Sequence, residues 1–176
     1  MRITAGSLRG RNMVVPDIPG LRPTPSKVRQ ALFNILGDVH GLTTLDLFAG
    51  SGIMALEALS RGVASAISVD QNRKAIRAMQ QRREHWHVEH WQLMPRGVEE
   101  GLTELAGQHF DLIFADPPYA AGISEQLPLW LDQSRIGCGR LVIEESSKYS
   151  PHWPQGWQLQ QSRPYGATCL HFLTRD

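Results

Sequence analysis

Leu45-Asp46-Leu47-Phe48-Ala49-Gly50-Ser51-Gly52 runs from an apolar, strand-like segment into a small turn carrying two glycines, and a helix-compatible stretch follows. Glycines there let backbone approach a ligand closely, and a helix N-terminus offers free N–H groups. In open α/β sheets ligands bind at the carboxyl ends of the strands, where this turn falls. The same alternation continues downstream. Strands are predicted at Thr44–Phe48, Ala64–Val69, His90–Met94, Phe110–Ala115 and Gly139–Glu144, with helical stretches at about 52–61, 72–85, 98–106 and 123–133 between them. That order predicts an α/β fold, a doubly wound and mostly parallel sheet covered by helices on both faces. Trp157–Ser162 and Thr168–Leu173, joined through Arg163-Pro164-Tyr165-Gly166-Ala167, read instead as a closing antiparallel hairpin.

Three ligand classes compete for the glycine turn. A phosphate-cradling loop wants G-x-x-x-x-G-K-[ST], and no lysine is present. A dinucleotide fold wants G-x-G-x-x-G, but Leu56 sits near the place of the third glycine. Asp46 also puts a negative charge before the turn, which suits a cationic ligand better than a pyrophosphate. Asp70 ends the next strand, where a carboxylate accepts both hydroxyls of a ribose. S-adenosylmethionine, with its ammonium, sulfonium and ribose, fits Asp46 and Asp70 together. The plain alternative is a tight strand-to-helix turn with no ligand.

A second stretch weighs against that alternative. Phe114-Ala115-Asp116-Pro117-Pro118-Tyr119 leaves the fourth sheet strand through an acid, two prolines and an aromatic. The prolines fix their own φ, hold Asp116 and Pro117 extended, and remove two N–H groups. A rigid loop offering carbonyl oxygens, a carboxylate and a flat ring suits a planar group bearing –NH₂.

Charge is distributed unevenly. Residues 1–30 hold six basic side chains against Asp17 alone, whereas the remaining chain has twelve basic and sixteen acidic residues. A basic arm on an acidic body is the footprint of a polyanion-binding segment. Residues 2–15 read as two short strands, Arg2–Ala5 and Asn12–Val15, around a turn displaying Arg9 and Arg11. A Pro/Gly-rich connector, Pro16–Pro25, leads to a helix from Ser26 to Leu36 ended by Gly37. Two parts follow: residues 1–25 as a nucleic-acid-binding extension, which the resemblance below makes RNA-binding, and 26–176 as the main domain.

At 176 residues and 41% hydrophobic content, the chain is long enough for one real core. No 18-residue apolar span or signal peptide is visible, and Cys138 and Cys169 read as buried, reduced thiols; a cytoplasmic protein is expected. His85-Trp86-His87-Val88-Glu89-His90 lacks metal-ligand spacing on one helical face. Glu99-Glu100 and Glu144-Glu145 read as solvated charges, with Glu144 placed where it can border the pocket. Trp130, Trp153 and Trp157 read as core or core-edge residues.

Asp46-x-Phe48-Ala49-Gly50-Ser51-Gly52 and Asp116-Pro117-Pro118-Tyr119 together resemble the class I amino-methyltransferases, which methylate exocyclic amines of bases. Arg-Ile-x-x-Gly-x-x-Arg-Gly-Arg (Arg2 to Arg11), Gly20-Leu21-Arg22-Pro23-Thr24 and Val28-Arg29-x-x-Leu32-Phe33-Asn34 look like the RsmD family of small-subunit ribosomal RNA guanine-N2 methyltransferases. The likeness extends through Leu56-Glu57-Ala58-Leu59-Ser60-Arg61-Gly62 to the Tyr165-Gly166 turn. It implies a Rossmann-like class I methyltransferase fold, S-adenosylmethionine as cofactor with S-adenosylhomocysteine as product, and no metal. It further implies 16S rRNA as partner, with guanine 966 as target. A single basic arm on a small enzyme points to a 30S subunit or assembly intermediate that supplies part of the recognition, and a monomer is the default expectation. Residue by residue, Asp46, Gly50 and Gly52 would border the methionine part of the cofactor, with Phe48, Ala49 and Ser51 in the same turn. Asp70 would take the ribose. Asp116, Pro117, Pro118 and Tyr119 would form the target-base site, and Thr24 with Arg29 would belong to the cofactor or RNA entrance. Arg2, Arg9, Arg11, Arg22 and Arg29 would contact RNA. After the third strand the chain reads Met94-Pro95-Arg96-Gly97-Val98, without the acid or amide the family pattern carries beside adenine.

Two rival readings remain at this level. DNA amino-methyltransferases carry a separate recognition domain for which 176 residues leave no room, and glutamine methyltransferases favour Asn where residue 116 is Asp. A non-catalytic RNA-binding assembly protein with the same fold is the other, and intact Asp46, Asp70 and Asp116 argue against it.

Overall fold

The computed structural model describes residues 1–176. The chain runs α1 (Ser26–Leu36), β1 (Thr43–Leu47), α2 (Ile53–Ser60), β2 (Ser65–Val69), α3 (Arg73–His85), β3 (Trp91–Met94), α4 (Val98–Glu104), β4 (His109–Ala115), α5 (Ile123–Gln133), β5 (Gly137–Ser146), β6 (Trp157–Tyr165) and β7 (Thr168–Arg175). One seven-stranded sheet forms in the order β3-β2-β1-β4-β5-β7-β6. The first five strands are parallel, and β7 and β6 close the edge antiparallel, as the alternation and the terminal hairpin predict.

This order matters for the site. The chain steps outward through β2 and β3, then returns to pair β4 with β1, Leu47 beside Ala115. Strand order therefore reverses between β1 and β4, and their carboxyl ends flank the crevice where such sheets bind ligands. No helix is long and apolar enough to cross a membrane.

Strand alternation sends Leu45, Leu47, Ile113, Ala115, Leu141 and Ile143 to the face covered by α4 and α5, where Leu102, Leu127 and Leu131 meet them. The opposite face carries Leu112, Phe114, Val142 and Phe172 against Val28, Leu32 and Phe33 of α1. Ala75, Ile76 and Met79 of α3 pack there with Trp91 and the α2 residues Ile53 and Leu56. At full burial each large apolar side chain contributes ~1.5–3 kcal/mol, so both faces are needed to hold the sheet.

The N-terminal arm departs from its predicted form. Its two strands shorten to one bridge, Arg2 with Asn12, around a turn from Ser7 to Gly10, with Ile3 N donating to Arg11 O (3.0 Å) and Met13 N to Met1 O (2.7 Å) across the pair. The body holds the arm as well. Ile3 and Met13 are buried in the α2–α3 cluster. Ser7 N donates to Ser60 O (2.7 Å) and Leu8 N to Ser60 Oγ (2.9 Å). A Cβ on Gly6, whose φ is +80°, would lie 1.6 Å from Ser60 O, so only glycine allows this approach.

Candidate active site

The strand ends bring the predicted carboxylates together. Ala49 N donates to Val69 O (3.1 Å) and Asp116 N to Leu47 O (3.4 Å), which ties the loops after β1, β2 and β4 into one rim. A cavity of about 950 Å³ opens there. Phe48, Gly50, Asp70 and the whole run Asp116, Pro117, Pro118 and Tyr119 line it. Arg22 lines it too, beside Pro19, Gly20 and Leu21 of the connector.

Asp70 is held rather than free. Its Oδ2 accepts from Gly50 N and its Oδ1 from Asn72 N, both at 2.7 Å. This fixes the carboxylate at the cavity wall with lone pairs left for a diol. Asp46 lies beneath the wall, 3% exposed, its Oδ2 accepting from Ala55 N at 3.3 Å and Ser68 Oγ at 3.5 Å, while Oδ1 accepts nothing from the chain. Burial pushes its pKa up to about 7, and the charge of Asp70 adds to this against the two hydrogen bonds.

Asp116 accepts no hydrogen bond from the protein at all. Burial first, then the charges of Glu144, Asp46 and Glu145, push its pKa up to about 8. A raised pKa at a cavity wall, set by burial and neighbouring acids, marks a functional-site candidate. Just past it, Tyr119 is 40% exposed while its hydroxyl donates to Glu144 Oε1 (2.9 Å) and lies 3.0 Å from Thr168 Oγ1. Ala120 N and Ser124 Oγ donate to Glu145, so β5 anchors the loop beyond the two prolines.

Several sequence expectations need correction. Glu144 and Glu145 are not solvated: they are 7% and 0% exposed. A doublet of acids at a strand end conceals this, because its partners Thr24, Tyr119, Ser124 and Thr168 lie far away in sequence. Thr24 does not line the cavity; it is buried, its hydroxyl donating to Glu144 Oε2 at 2.8 Å. Arg29 cannot present itself to RNA. It is 1% exposed, paired with Glu57 at 3.0 Å, and its Nη2 donates to Arg2 O at 2.7 Å. Ala49, Ser51 and Gly52 also sit behind the wall rather than on it.

The glycines are needed for packing as much as for a ligand. A Cβ on Gly52 would stand 2.7 Å from Met79 Sδ, and one on Gly50 2.5 Å from Leu21 Cδ1. Leu21 thus caps the glycine turn. Beyond Asp70 the cavity is walled by Gln71, Asn72, Gly97 and Val98, where no adenine residue was assigned, and on the α5 side by Ile123 and Trp130. Gln71 and Asn72 follow a strand-end acid, the one signal that marked them in the sequence.

The family described as Conserved hypothetical protein 95 matches residues 1–174. The chain is 32% identical to ribosomal RNA small subunit methyltransferase D of Escherichia coli, over all of this chain and 90% of that protein. It belongs to the RsmD family. A structure described as the methyltransferase yhhF from Escherichia coli superposes with a TM-score of 0.87 at 26% identity, covering 100% of this chain and 98% of that one. At 16% identity the methyltransferase SMU.776, solved with S-adenosylhomocysteine, shares the fold with a TM-score of 0.66 over 84% of this chain and 48% of that one. The chain thus has the Rossmann-like class I methyltransferase fold.

Proposed function

We propose that this protein transfers the methyl group of S-adenosylmethionine to the exocyclic N2 amine of a guanine in 16S rRNA, guanine 966, within a 30S subunit or an assembly intermediate. The observation that carries the reading is Asp116: a carboxylate on the cavity wall, without a protein donor, followed by two residues that can only accept. RsmD membership supplies the RNA.

The chain's residues fit the cofactor. Asp70 would hold the ribose, and Asp46 with Asp116 would face its positive charges. Bound there, it supplies a methyl group on a positively charged sulfur, an electrophile with a neutral leaving group. A cation beside Asp46 and Asp116 favours their ionised forms, the reverse of the burial that raises both pKa values.

Guanine's amine is a poor nucleophile because its lone pair is delocalised into the ring. Ionised Asp116 and the Pro117 carbonyl accept the amine hydrogens, which favours a pyramidal nitrogen and stabilises the positive charge developing on it. Rate then comes mostly from alignment. The ring of Tyr119 offers a stacking surface worth ~1–3 kcal/mol per base. Asp116 is first an orienting acceptor and second a base.

The acceptor-only loop also favours guanine. Guanine carries a ring donor, N1–H, on one side of its N2 amine and the acceptor N3 on the other, whereas adenine and cytosine have a ring acceptor and no ring donor beside their amines. An acceptor facing an acceptor is left unpaired and costs ~1–3 kcal/mol.

The test is transfer of labelled methyl to unmodified 30S subunits, naked 16S rRNA and DNA, with Asp116→Ala alongside. Label in ribosomal RNA that the variant loses supports the reading. Label in DNA alone moves it to a DNA amino-methyltransferase, and cofactor binding without transfer to a non-catalytic assembly protein.

A further inference from the structure

The chain's positive charge is concentrated on two elements that pack against each other. Residues 1–30 carry six basic side chains against one acid, and α3 five against one, which leaves seven against fifteen for everything else. Arg82 Nη2 of α3 donates to Val14 O at 2.7 Å. The Arg11 guanidinium lies 5.5 Å from the ring of Trp86, at the end of α3, and its Nη1 donates to Trp86 O at 3.4 Å. The arm and the far end of α3 therefore form one surface. The near end of α3 starts at the cavity, where Asp70, Gln71 and Asn72 line the wall just before Arg73.

Arg73, Lys74 and Arg77 are exposed and make no ion pair or hydrogen bond through their side chains. Their placement works against the fold. Arg73 and Lys74 put two cations at the positive end of the helix dipole, where the first turn holds no acid. Arg77 stands three and four residues further on, so all three share a face and repel. Asp70 is committed to Gly50 N and Asn72 N; Glu84, the only acid on α3, accepts from Gln80; the exposed Glu99 and Glu100 lie across the cavity mouth on α4. Exposed charges kept where they destabilise their own helix point to a polyanionic partner.

We propose that the exposed face of α3 is a second RNA-binding track, on which Arg73, Lys74 and Arg77 hold phosphates of the strand leading from the cavity to the arm. At 1.5 Å per residue, α3 spans roughly 20 Å, the length of several nucleotides of backbone. The track rests on the RNA-methylation reading above.

The experiment measures affinity for 30S subunits and for a 16S rRNA fragment against KCl concentration. It compares wild type, Arg73→Gln/Lys74→Gln/Arg77→Gln, Arg9→Gln/Arg11→Gln, and the charge-keeping Arg73→Lys/Arg77→Lys, with S-adenosylmethionine binding measured for each. The track requires the triple variant to lose about 2 from the log–log salt slope and tenfold or more in affinity near 0.1 M salt, with cofactor binding unchanged and the lysine variant close to wild type. An unchanged slope in the triple variant, with methyl transfer to RNA intact, overturns the track and leaves the activity standing. Wild type that neither binds nor methylates RNA removes both.

Discussion

Asp46 and Asp116 are carboxylates held at a cost to the folded protein. With pKa values pushed to about 7 and about 8, they keep protons in the fold that an unfolded chain would release near 3.8. Where the native state binds more protons than the unfolded one, stability falls as pH rises. The free protein should thus lose stability between about pH 4 and 8, and Asp46→Asn should flatten that fall and raise stability at pH 8.5 by on the order of 2 kcal/mol, read by urea denaturation. A cation reverses the preference. Affinity for S-adenosylmethionine should rise about tenfold from pH 6 to 8.5, with protons released on binding and detected by calorimetry in buffers of different ionisation enthalpy. A flat profile would separate the acids from the cofactor's charge. Tyr119→Ala should raise KM for the RNA tenfold or more through lost stacking, whereas Tyr119→Phe, which removes only the hydroxyl between Glu144 and Thr168, should change it a few-fold.

Residues also divide by how legible they were. Asp46, Asp70 and Asp116 stand at strand ends, where apolar runs and turn residues mark them in the sequence. Arg29 carries the opposite lesson. Lying off the apolar face of α1, it reads as a surface cation, but Glu57 waits for it on α2 with Arg61 and Thr4 on the same carboxylate. Tertiary pairing of that kind leaves no local signal.

Among elements, the arm depends most on others. Glu57 joins α1, α2 and the arm through Arg29, Arg61, Thr4 N and Thr4 Oγ1. Glu57→Ala would strand Arg29 as a buried, unpaired cation and should cost about 3–5 kcal/mol, visible as a lower denaturation midpoint. Gly6→Ala should loosen the arm, because its Cβ and the Ser60 backbone cannot share space. Limited proteolysis near residues 6–15 reads that out, and an unchanged cleavage pattern would contradict the packing. The arm's strands are shorter than predicted; a few antiparallel hydrogen bonds between residues 1–3 and 10–13 remain, and anchoring residues on α2 supplement them. The connector, read as a linker, turned out to supply Leu21 and Arg22 to the cavity, since Pro/Gly spacing says where a chain turns and not what it covers.

At the scale of the molecule, parallel order, the β1–β4 reversal and the antiparallel closure followed from the alternation of apolar runs and helical stretches. The far wall of the cavity did not, because it is assembled from residues with no chemistry of their own, Gly97 and Val98 among them. Charge separates likewise, with the arm and α3 basic and the remainder acidic. The central claim is that Asp116 orients a guanine amine, and nucleoside analysis of RNA labelled by the wild-type enzyme and by Asp116→Ala tests it most directly. All label should appear as N2-methylguanosine, with transfer falling about 10²–10³-fold in the variant while cofactor binding persists. Label in another methylated nucleoside, or undiminished transfer by Asp116→Ala, would contradict it.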